Sequence, residues 1–202
     1  VLYGANDFGY SPTSFAGGKP GEIGGRFWRV EAREPHLKGY YGGDVGRLTL
    51  DDRLEARGKI AIRRFSIDSG MHIGFFNSAG QGWPPRNFVG AYLDSHTSGG
   101  RFFMPMYGTA THGERLPPEK SPFFIDDGKP QDVAMSYDPL ANGGNGAVTV
   151  MLGTQSATLP LPAGVRGQAA AMDRFGIFNM QDNNGKHCEV YLDDLSYTSH
   201  SR

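Results

Sequence analysis

A period-two alternation of apolar and polar residues recurs along the chain, and it limits the fold more than any other feature. In "GRFWRVEARE" the pattern places Phe27, Arg29 and Glu31 on one face. That face is polar, and Trp28 lies on the opposite, apolar face. Segments of the same kind follow, about ten in all. Because this period is that of a strand with one buried face, we expect short β-strands throughout.

Turn-forming residues separate these segments. The 202 residues include 30 glycines and 13 prolines without a periodic repeat, which predicts many tight turns and neither collagen nor a disordered tail. "NGGNG" at 142–146 and "DNNG" at 182–185 accept positive φ, so we predict a hairpin at each. A further hairpin is predicted between "RGKIAIRRFSID" and "SGMHIGFFNS", with its turn at 68–70.

The pattern therefore predicts an all-β protein, a two-sheet antiparallel sandwich with little helix. The segment 48–55 fits a short helix and fits strand, turn, strand equally well. No shift in composition marks a linker, so we expect a single domain over residues 1–202.

Charge and composition exclude several classes of function. The formal net charge of -1 provides no basic field, so we expect no nucleic-acid partner. No apolar run approaches the roughly 18 residues of a membrane span, so no membrane partner is expected either. Cys188 is the sole cysteine, which excludes an internal disulfide and a cysteine-based zinc cluster. No motif for an organic cofactor is present, since "GGNG" lacks the strand-to-helix context of a phosphate loop.

Two adjacent carboxylates interrupt the last predicted strand, "HCEVYLDDLSYT". In a regular strand, one of Asp193 and Asp194 would share a face with a leucine. A bulge at the pair would let Leu192 and Leu195 enter the core while both acids face outward. A cation, an arginine or water must then neutralise the acids. Calcium, which takes carboxylate and carbonyl oxygens, is one alternative, and solvation or an arginine partner is the other.

"VYLDDLSYT" resembles the closing strand of concanavalin-like jelly-roll domains, among them carbohydrate-binding modules whose last strand carries an Asp-Asp pair at a structural calcium. Over most of the chain, "AGGKPGEIGGRFWR", "GRLTLDDRLEARGKI", "DSGMHIGFFNS", "YDPLANGGNGAVTV" and "DRFGIFNMQ" are similar to a group of bacterial concanavalin-like proteins without an established activity. The resemblance implies a jelly-roll sandwich. It implies carbohydrate recognition only through the architecture, which hosts lectins, binding modules, hydrolases and lyases.

Sugar recognition needs flat aromatic faces and planar polar groups. Composition predicts four long loops, at 1–25, 34–47, 78–87 and 109–122. Because binding surfaces usually grow on such loops, we predict that Trp83, Tyr40 and Tyr41 contact a sugar, although Trp83 fits a plug at the end of the sandwich equally well. Polar residues of the strands form a second set of predicted ligands, Arg29, Arg64, Asn77, Asp94 and Arg101, which together with Glu31, His72 and Tyr107 could line one exposed sheet face. Only their convergence on one exposed, concave sheet face would make them a site.

Catalysis needs further groups. A glycoside hydrolase needs two carboxylates about 5 to 10 Å apart, for which Glu22, Glu31, Asp68 and Asp94 are candidates. The Glu-x-Asp-x-x-Glu strand motif of jelly-roll hydrolases is absent. A polysaccharide lyase needs a Tyr or His base, for which His72 and Tyr107 are candidates, with Arg or Asn to neutralise the uronate.

These observations predict a sandwich that binds a polysaccharide or another glycan, as a secreted or periplasmic protein or as part of a larger one. A glycoside hydrolase and a polysaccharide lyase are the enzymatic alternatives. A structural or protein-binding module of the laminin-G kind is the third, and it would present a flat apolar patch.

Overall fold

In the computed structural model, which describes residues 7–29, 37–80, 84–95, 100–168, 170–181 and 186–199, thirteen strands form two antiparallel sheets. The strands are β1 Gly9–Ser11, β2 Glu22–Arg29, β3 Leu37–Thr49, β4 Leu54–Phe65, β5 Gly70–Phe76, β6 Phe88–Ser95, β7 Arg101–Gly108, β8 Gly113–Arg115, β9 Pro130–Asp138, β10 Ala147–Leu152, β11 Gln155–Pro160, β12 Ala171–Gln181 and β13 Lys186–Tyr197. Helical structure in these ranges is limited to a 3-10 turn, Pro118–Lys120, and a four-residue turn, Ala141–Gly144.

The two sheets enclose one hydrophobic core. The seven-stranded sheet has the order β1-β2-β13-β4-β9-β10-β11, and the six-stranded sheet has the order β3-β12-β5-β6-β7-β8. Alternate residues of both sheets meet between them, for example Ile60 of β4, Phe75 of β5 and Val148 of β10. The predicted all-β jelly-roll sandwich is confirmed, and 48–55 is strand, turn, strand.

The face assigned to β2 from the sequence is wrong. Phe27 lies in the core with 1% of its surface exposed, although the alternation placed it on the polar face. The alternation grouped Phe27 with charged residues, whereas in the described part of β2 Arg26 is exposed and its neighbour Phe27 faces the core.

Two of the three predicted hairpins are also wrong. β4 belongs to the seven-stranded sheet and β5 to the six-stranded sheet, so the turn at 66–69 crosses from one layer to the other. The strands on either side of 182–185, β12 and β13, likewise lie in different sheets. The hairpin at 142–146 is present, because β9 and β10 pair in register from Asp138 and Ala147 onward.

The region 34–47, predicted as a loop, is largely strand. Residues 37–49 form β3, which pairs with β12 along most of its length. Its glycines explain both the prediction and the error: a Cβ at Gly42 would lie 2.9 Å from the carbonyl oxygen of Phe175, so the missing side chain lets the two strands lie close together.

The bulge predicted in the last strand is present. The register of β13 against β4 shifts between Asp193 and Ser196, and Asp194 has a left-handed φ of 52°. Leu192 and Leu195 both pack against the core, while Asp193 and Asp194 face outward. No helix in the part of the chain that the structure describes is long and apolar enough to cross a membrane.

Candidate functional site

The outer face of the six-stranded sheet carries a second layer of packed rings, which we call the aromatic face. Its buried members are His72, Phe76, Phe88, Tyr92, Met104, Met106 and Phe178. The ring of His72 stacks between Phe178 and Tyr92, with centroid distances of 4.4 and 4.6 Å. Because His72 is only 1% exposed, these rings are packing surface and not an open platform.

A row of glycines crosses the aromatic face beside these rings. The residues paired in register from β3 to β6 are Gly42, Gly176, Gly74 and Gly90. A Cβ at Gly90 would lie 2.2 Å from the carbonyl oxygen of Ile73 and 3.0 Å from the ring of Phe88. Because these four positions carry no side chains, the neighbouring rings have space to pack over them.

The outer face of the seven-stranded sheet is different, because it holds an open hollow, which we call the polar groove. Two adjoining cavities of about 530 and 370 Å³ share Arg57, Ala134 and Met151. The larger is lined by Glu55, Arg57, Ala134, Ser136, Thr149, Met151, Ser196, Tyr197 and Thr198, and the smaller adds Lys59, Asp132 and Asp194. The groove thus crosses four neighbouring strands, β13, β4, β9 and β10.

Small side chains and hydroxyl groups form the floor of the polar groove. In successive rows, Arg57 lies opposite Ala134, and Ser136 lies opposite Thr149. The hydroxyl of Thr149 is 2.9 Å from that of Thr158 on β11, which fixes its orientation. Such a floor offers donors and acceptors to the hydroxyl groups of a ligand and leaves space above it.

Tyr197 borders the polar groove, but its ring is directed between the two sheets. Tyr197 is 37% exposed, and its ring stacks on Phe175 at a centroid distance of 4.4 Å with an interplanar angle of 24°. Phe175 belongs to the core between the sheets, and Ala56, the cross-strand partner of Tyr197, is buried there too, so the ring of Tyr197 packs on the inner side of the sheet and does not face a ligand in the groove. The bulge in β13 makes the arrangement possible, since it turns Tyr197 toward Phe175.

The structure brings together three of the residues predicted to bind or react, and it places them on the aromatic face. Tyr40 packs against Phe76 at 5.4 Å, and His72 and Asp94 lie on neighbouring strands of the same face. The hydroxyl of Tyr92 donates to Asp94 at 3.3 Å. The expectation that this face is exposed is wrong at His72, because the rings on either side bury it.

Several other predicted residues make contacts that hold the fold. Glu22 is buried and accepts hydrogen bonds from the hydroxyl of Thr13 and from the backbone amides of Phe15 and Ala16. These contacts fix the segment before β2 against the seven-stranded sheet. The polar atoms of Glu22 are therefore directed into the chain and not toward a ligand.

Asn77 and Arg101 are engaged in a similar way. The side-chain amide of Asn77 donates to the carbonyl oxygen of Ala171 at 2.9 Å. The Arg101 guanidinium donates to the carbonyl oxygen of Phe65 and pairs with Asp126 at 3.1 Å. Both side chains thus connect separate parts of the backbone.

Tyr107 lies on the inner side of the six-stranded sheet, where it is fully buried and donates to Glu114 at 3.0 Å. Burial, together with the hydrogen bond and charge of Glu114, raises the pKa of Tyr107 well above its usual range. A tyrosine that holds its proton so firmly is a poor general base.

The remaining predicted residues are dispersed. Asp68 is exposed at the crossing between the sheets, Tyr41 packs against Phe8 at 5.7 Å, and Arg64 lies opposite Glu189 on the seven-stranded sheet. Trp83 and Glu31 fall outside the described residues, as does the side chain of Arg29. The predicted convergence on one exposed face is therefore wrong for Tyr107, which faces inward, and for Arg64, which lies on the other sheet.

Asp194 of the acidic pair lies at one end of the polar groove. Asp194 pairs with Lys59 at 3.5 Å, and the backbone amide of Asp194 donates to Asp193 at 2.8 Å. A lysine and an amide thus supply the neutralisation that the sequence required. Among the described residues, no group of three or more His, Cys, Asp or Glu side chains is arranged to hold a metal ion.

Sequence reasoning missed the residues that line the larger cavity. Arg57 and Glu55 face outward in "LEARGKI", and Ser136 and Thr149 occupy outward positions in "AMSYD" and "AVTVML". The alternation marks each of them as solvent-facing. It does not show that β4 and β9 are neighbours, which is what brings them together.

Comparisons with known proteins support the architecture. No family model matches the chain, and no curated protein matches it either. Among solved structures, the chain is similar to an alginate lyase of Pseudomonas aeruginosa, with a TM-score of 0.55 and 12% identity over 95% of this chain and 86% of that one. It is also similar to the carbohydrate recognition domain of Emp47p, with a TM-score of 0.54 and 12% identity over 100% and 91% of the two chains.

A third similar structure is a Bauhinia forficata lectin in complex with GalNAc, with a TM-score of 0.54 and 12% identity over 98% of this chain and 92% of the lectin. These neighbours are concanavalin-like and jelly-roll folds. The chain therefore has a concanavalin-like jelly-roll fold, as its closing strand suggested. At this level of identity the similarity establishes the fold alone.

Proposed function

We propose that this protein binds a polysaccharide or another glycan in the polar groove. The observation that supports this proposal is the groove itself, an open hollow across four strands with hydroxyl groups on its floor and a guanidinium at its centre. Hydroxyl and guanidinium groups match the hydroxyls of a sugar. The similar structures include carbohydrate-binding proteins and alginate lyases, which supports a carbohydrate ligand.

The open form of the groove favours a chain-like ligand over a small molecule. Enclosed, mostly apolar pockets are typical of small-molecule sites. Here the hollow is open, and its lining of mixed polar and apolar side chains follows the sheet across neighbouring strands. A polymer that lies along the groove would contact several rows of side chains at once.

Binding and release of products together test the proposal. The protein is incubated with a panel of neutral and uronic-acid polysaccharides, and both retention and the appearance of reducing or unsaturated ends are followed. We expect retention without new ends. Release of reducing ends would favour the hydrolase and unsaturated ends the lyase, whereas absence of retention across the panel would overturn the proposal.

A variant locates the site. Ala134→Phe places a ring on the floor of the groove, between Arg57 and Met151, and we expect at least tenfold weaker retention. Thr154→Phe adds the same ring at the exposed turn between β10 and β11 and serves as the matched control. Equal retention by both variants would exclude the polar groove as the site. Thermal unfolding of both variants checks that the sandwich is intact.

A secreted or periplasmic location belongs to the same proposal. So does a calcium ion at Asp193 and Asp194, which would lie beside the end of the groove that Asp194 lines. The carboxylate oxygens of the two residues are the type of ligand that calcium takes.

A further inference from the structure

We infer that Arg57 binds a carboxylate of the glycan, so that the polar groove selects a polysaccharide carrying isolated uronic acid residues among neutral sugars. This inference rests on the proposed function and specifies its substrate class. The charged side chains along the groove differ in whether they already have a partner of opposite charge.

The cations on either side of Arg57 are already paired. Arg53 contacts Glu55 at 2.9 Å, and Lys59 contacts Asp194 at 3.5 Å. Arg57 lies between these two pairs on the outward face of β4. In the part of the chain that the structure describes, no carboxylate lies within 4.0 Å of the Arg57 guanidinium, and no side chain or carbonyl accepts a hydrogen bond from it.

The immediate neighbours of Arg57 leave space for an anion. Its cross-strand partners are Ala134 on β9 and Ser196 on β13, both of them small. Directly opposed residues have Cβ atoms about 5 Å apart, so a long side chain at either position would cover the guanidinium. Instead, both neighbours line the cavity of about 530 Å³.

The chemistry of the guanidinium favours a carboxylate. Its planar fork can donate two parallel hydrogen bonds to the two oxygens of one carboxylate, which a hydroxyl group cannot accept in the same way. The hydroxyl of Ser196, opposite Arg57, is a further donor at the same place. A uronate at this position would therefore bind more tightly than the corresponding neutral sugar.

The rest of the groove argues against a densely charged polymer. Glu55 lies at one end, while Asp132 and Asp194 lie at the other and flank a single lysine, Lys59. Carboxylates of a ligand next to these acids would meet like charge. The groove therefore fits one carboxylate at its centre, with neutral sugars on both sides.

Matched polymers test this selectivity. Glucuronoxylan, hyaluronan and polygalacturonate are each prepared in native form and with their carboxyl groups reduced to primary alcohols, which preserves the backbone and the linkages. For the two sparsely charged polymers, we expect the native form to bind about tenfold more tightly than the reduced form, a difference of about 1.4 kcal/mol. Polygalacturonate should show a smaller preference.

Variants assign the preference to Arg57. Arg57→Gln should bring the ratio of the two affinities to about one, while Arg57→Lys should retain only part of it, because an ammonium group is a point charge without a fork. Arg53→Gln is the matched control, since Arg53 is an exposed arginine immediately before β4 that is already paired with Glu55, and it should keep the wild-type ratio.

The outcomes separate the two proposals. If the wild type binds native and reduced forms equally, or binds only neutral polysaccharides, the role of Arg57 is wrong and the glycan-binding groove stands. If Arg57→Gln keeps the wild-type ratio, the carboxylate is recognised elsewhere and the inference is again overturned. If no polysaccharide binds in either form, the proposed function itself fails.

Discussion

The two outer faces of this sandwich differ in whether their side chains are packed or accessible. The aromatic face of the six-stranded sheet consists of stacked rings and glycines, and its central imidazole is buried. The polar groove of the seven-stranded sheet is an open hollow whose lining mixes polar and apolar side chains around an accessible guanidinium. Both outer faces are built from strands with the same period-two alternation. The alternation therefore shows only that a residue faces outward. Whether that face is packed or open depends on the side chains of the neighbouring strands.

Removing a ring from the aromatic face should produce the largest loss of stability. Phe178 is fully buried and contacts His72, Phe76 and Phe88, so Phe178→Ala should lower the free energy of unfolding by about 3–5 kcal/mol. Met151→Ala in the polar groove should cost less than about 1 kcal/mol, because that side chain is only partly buried. Urea denaturation measures both, and similar losses would contradict the contrast between the faces.

Adding a methyl group to the glycine row should have the next largest effect. In Gly90→Ala, the new Cβ would meet backbone atoms of β5, which cannot rotate away, so we expect a loss of about 2–3 kcal/mol. Gly18→Ala is the control, since its Cβ would meet nothing within 4 Å. An unchanged free energy of unfolding in Gly90→Ala would show that the backbone of the sheet can shift at this row.

Calcium at the acidic end of the polar groove should give the smallest of the three effects. An ion that binds only the folded protein raises stability by about 1.4 kcal/mol at ten times its Kd. Thermal unfolding with added calcium and with a chelator measures this, and Asp193→Asn with Asp194→Asn should abolish the difference. An unchanged melting temperature would leave Lys59 as the neutralising group and remove calcium from the site.

The fold could be predicted further than the site. Alternation and turn residues predicted two sheets. A regular strand would place Leu192 and Leu195 on opposite faces, and this conflict predicted the bulge in β13. Turn residues did not reveal which strands pair, because Asp68 serves a crossing between layers as well as it would serve a hairpin. The long strand β3 was missed because its glycines also occur in loops.

The candidate site depended on that missing information. Arg57, Ser136 and Ser196 are far apart in the sequence and individually unremarkable as outward-facing residues. They meet only because β4 lies between β9 and β13. The sequence favoured aromatic residues as ligand contacts instead, and those of the described strands largely pack against each other.

The extra residue in β13 reverses which of the following residues in the last strand face inward. Without it, Ser196 would point into the sandwich and Tyr197 would point away from Phe175. One inserted amino acid therefore both seals the interior with a leucine and a tyrosine ring and leaves a serine beside the guanidinium of the groove, so that a deletion at Asp194 would exchange the inside and the outside of the strand from there to its end.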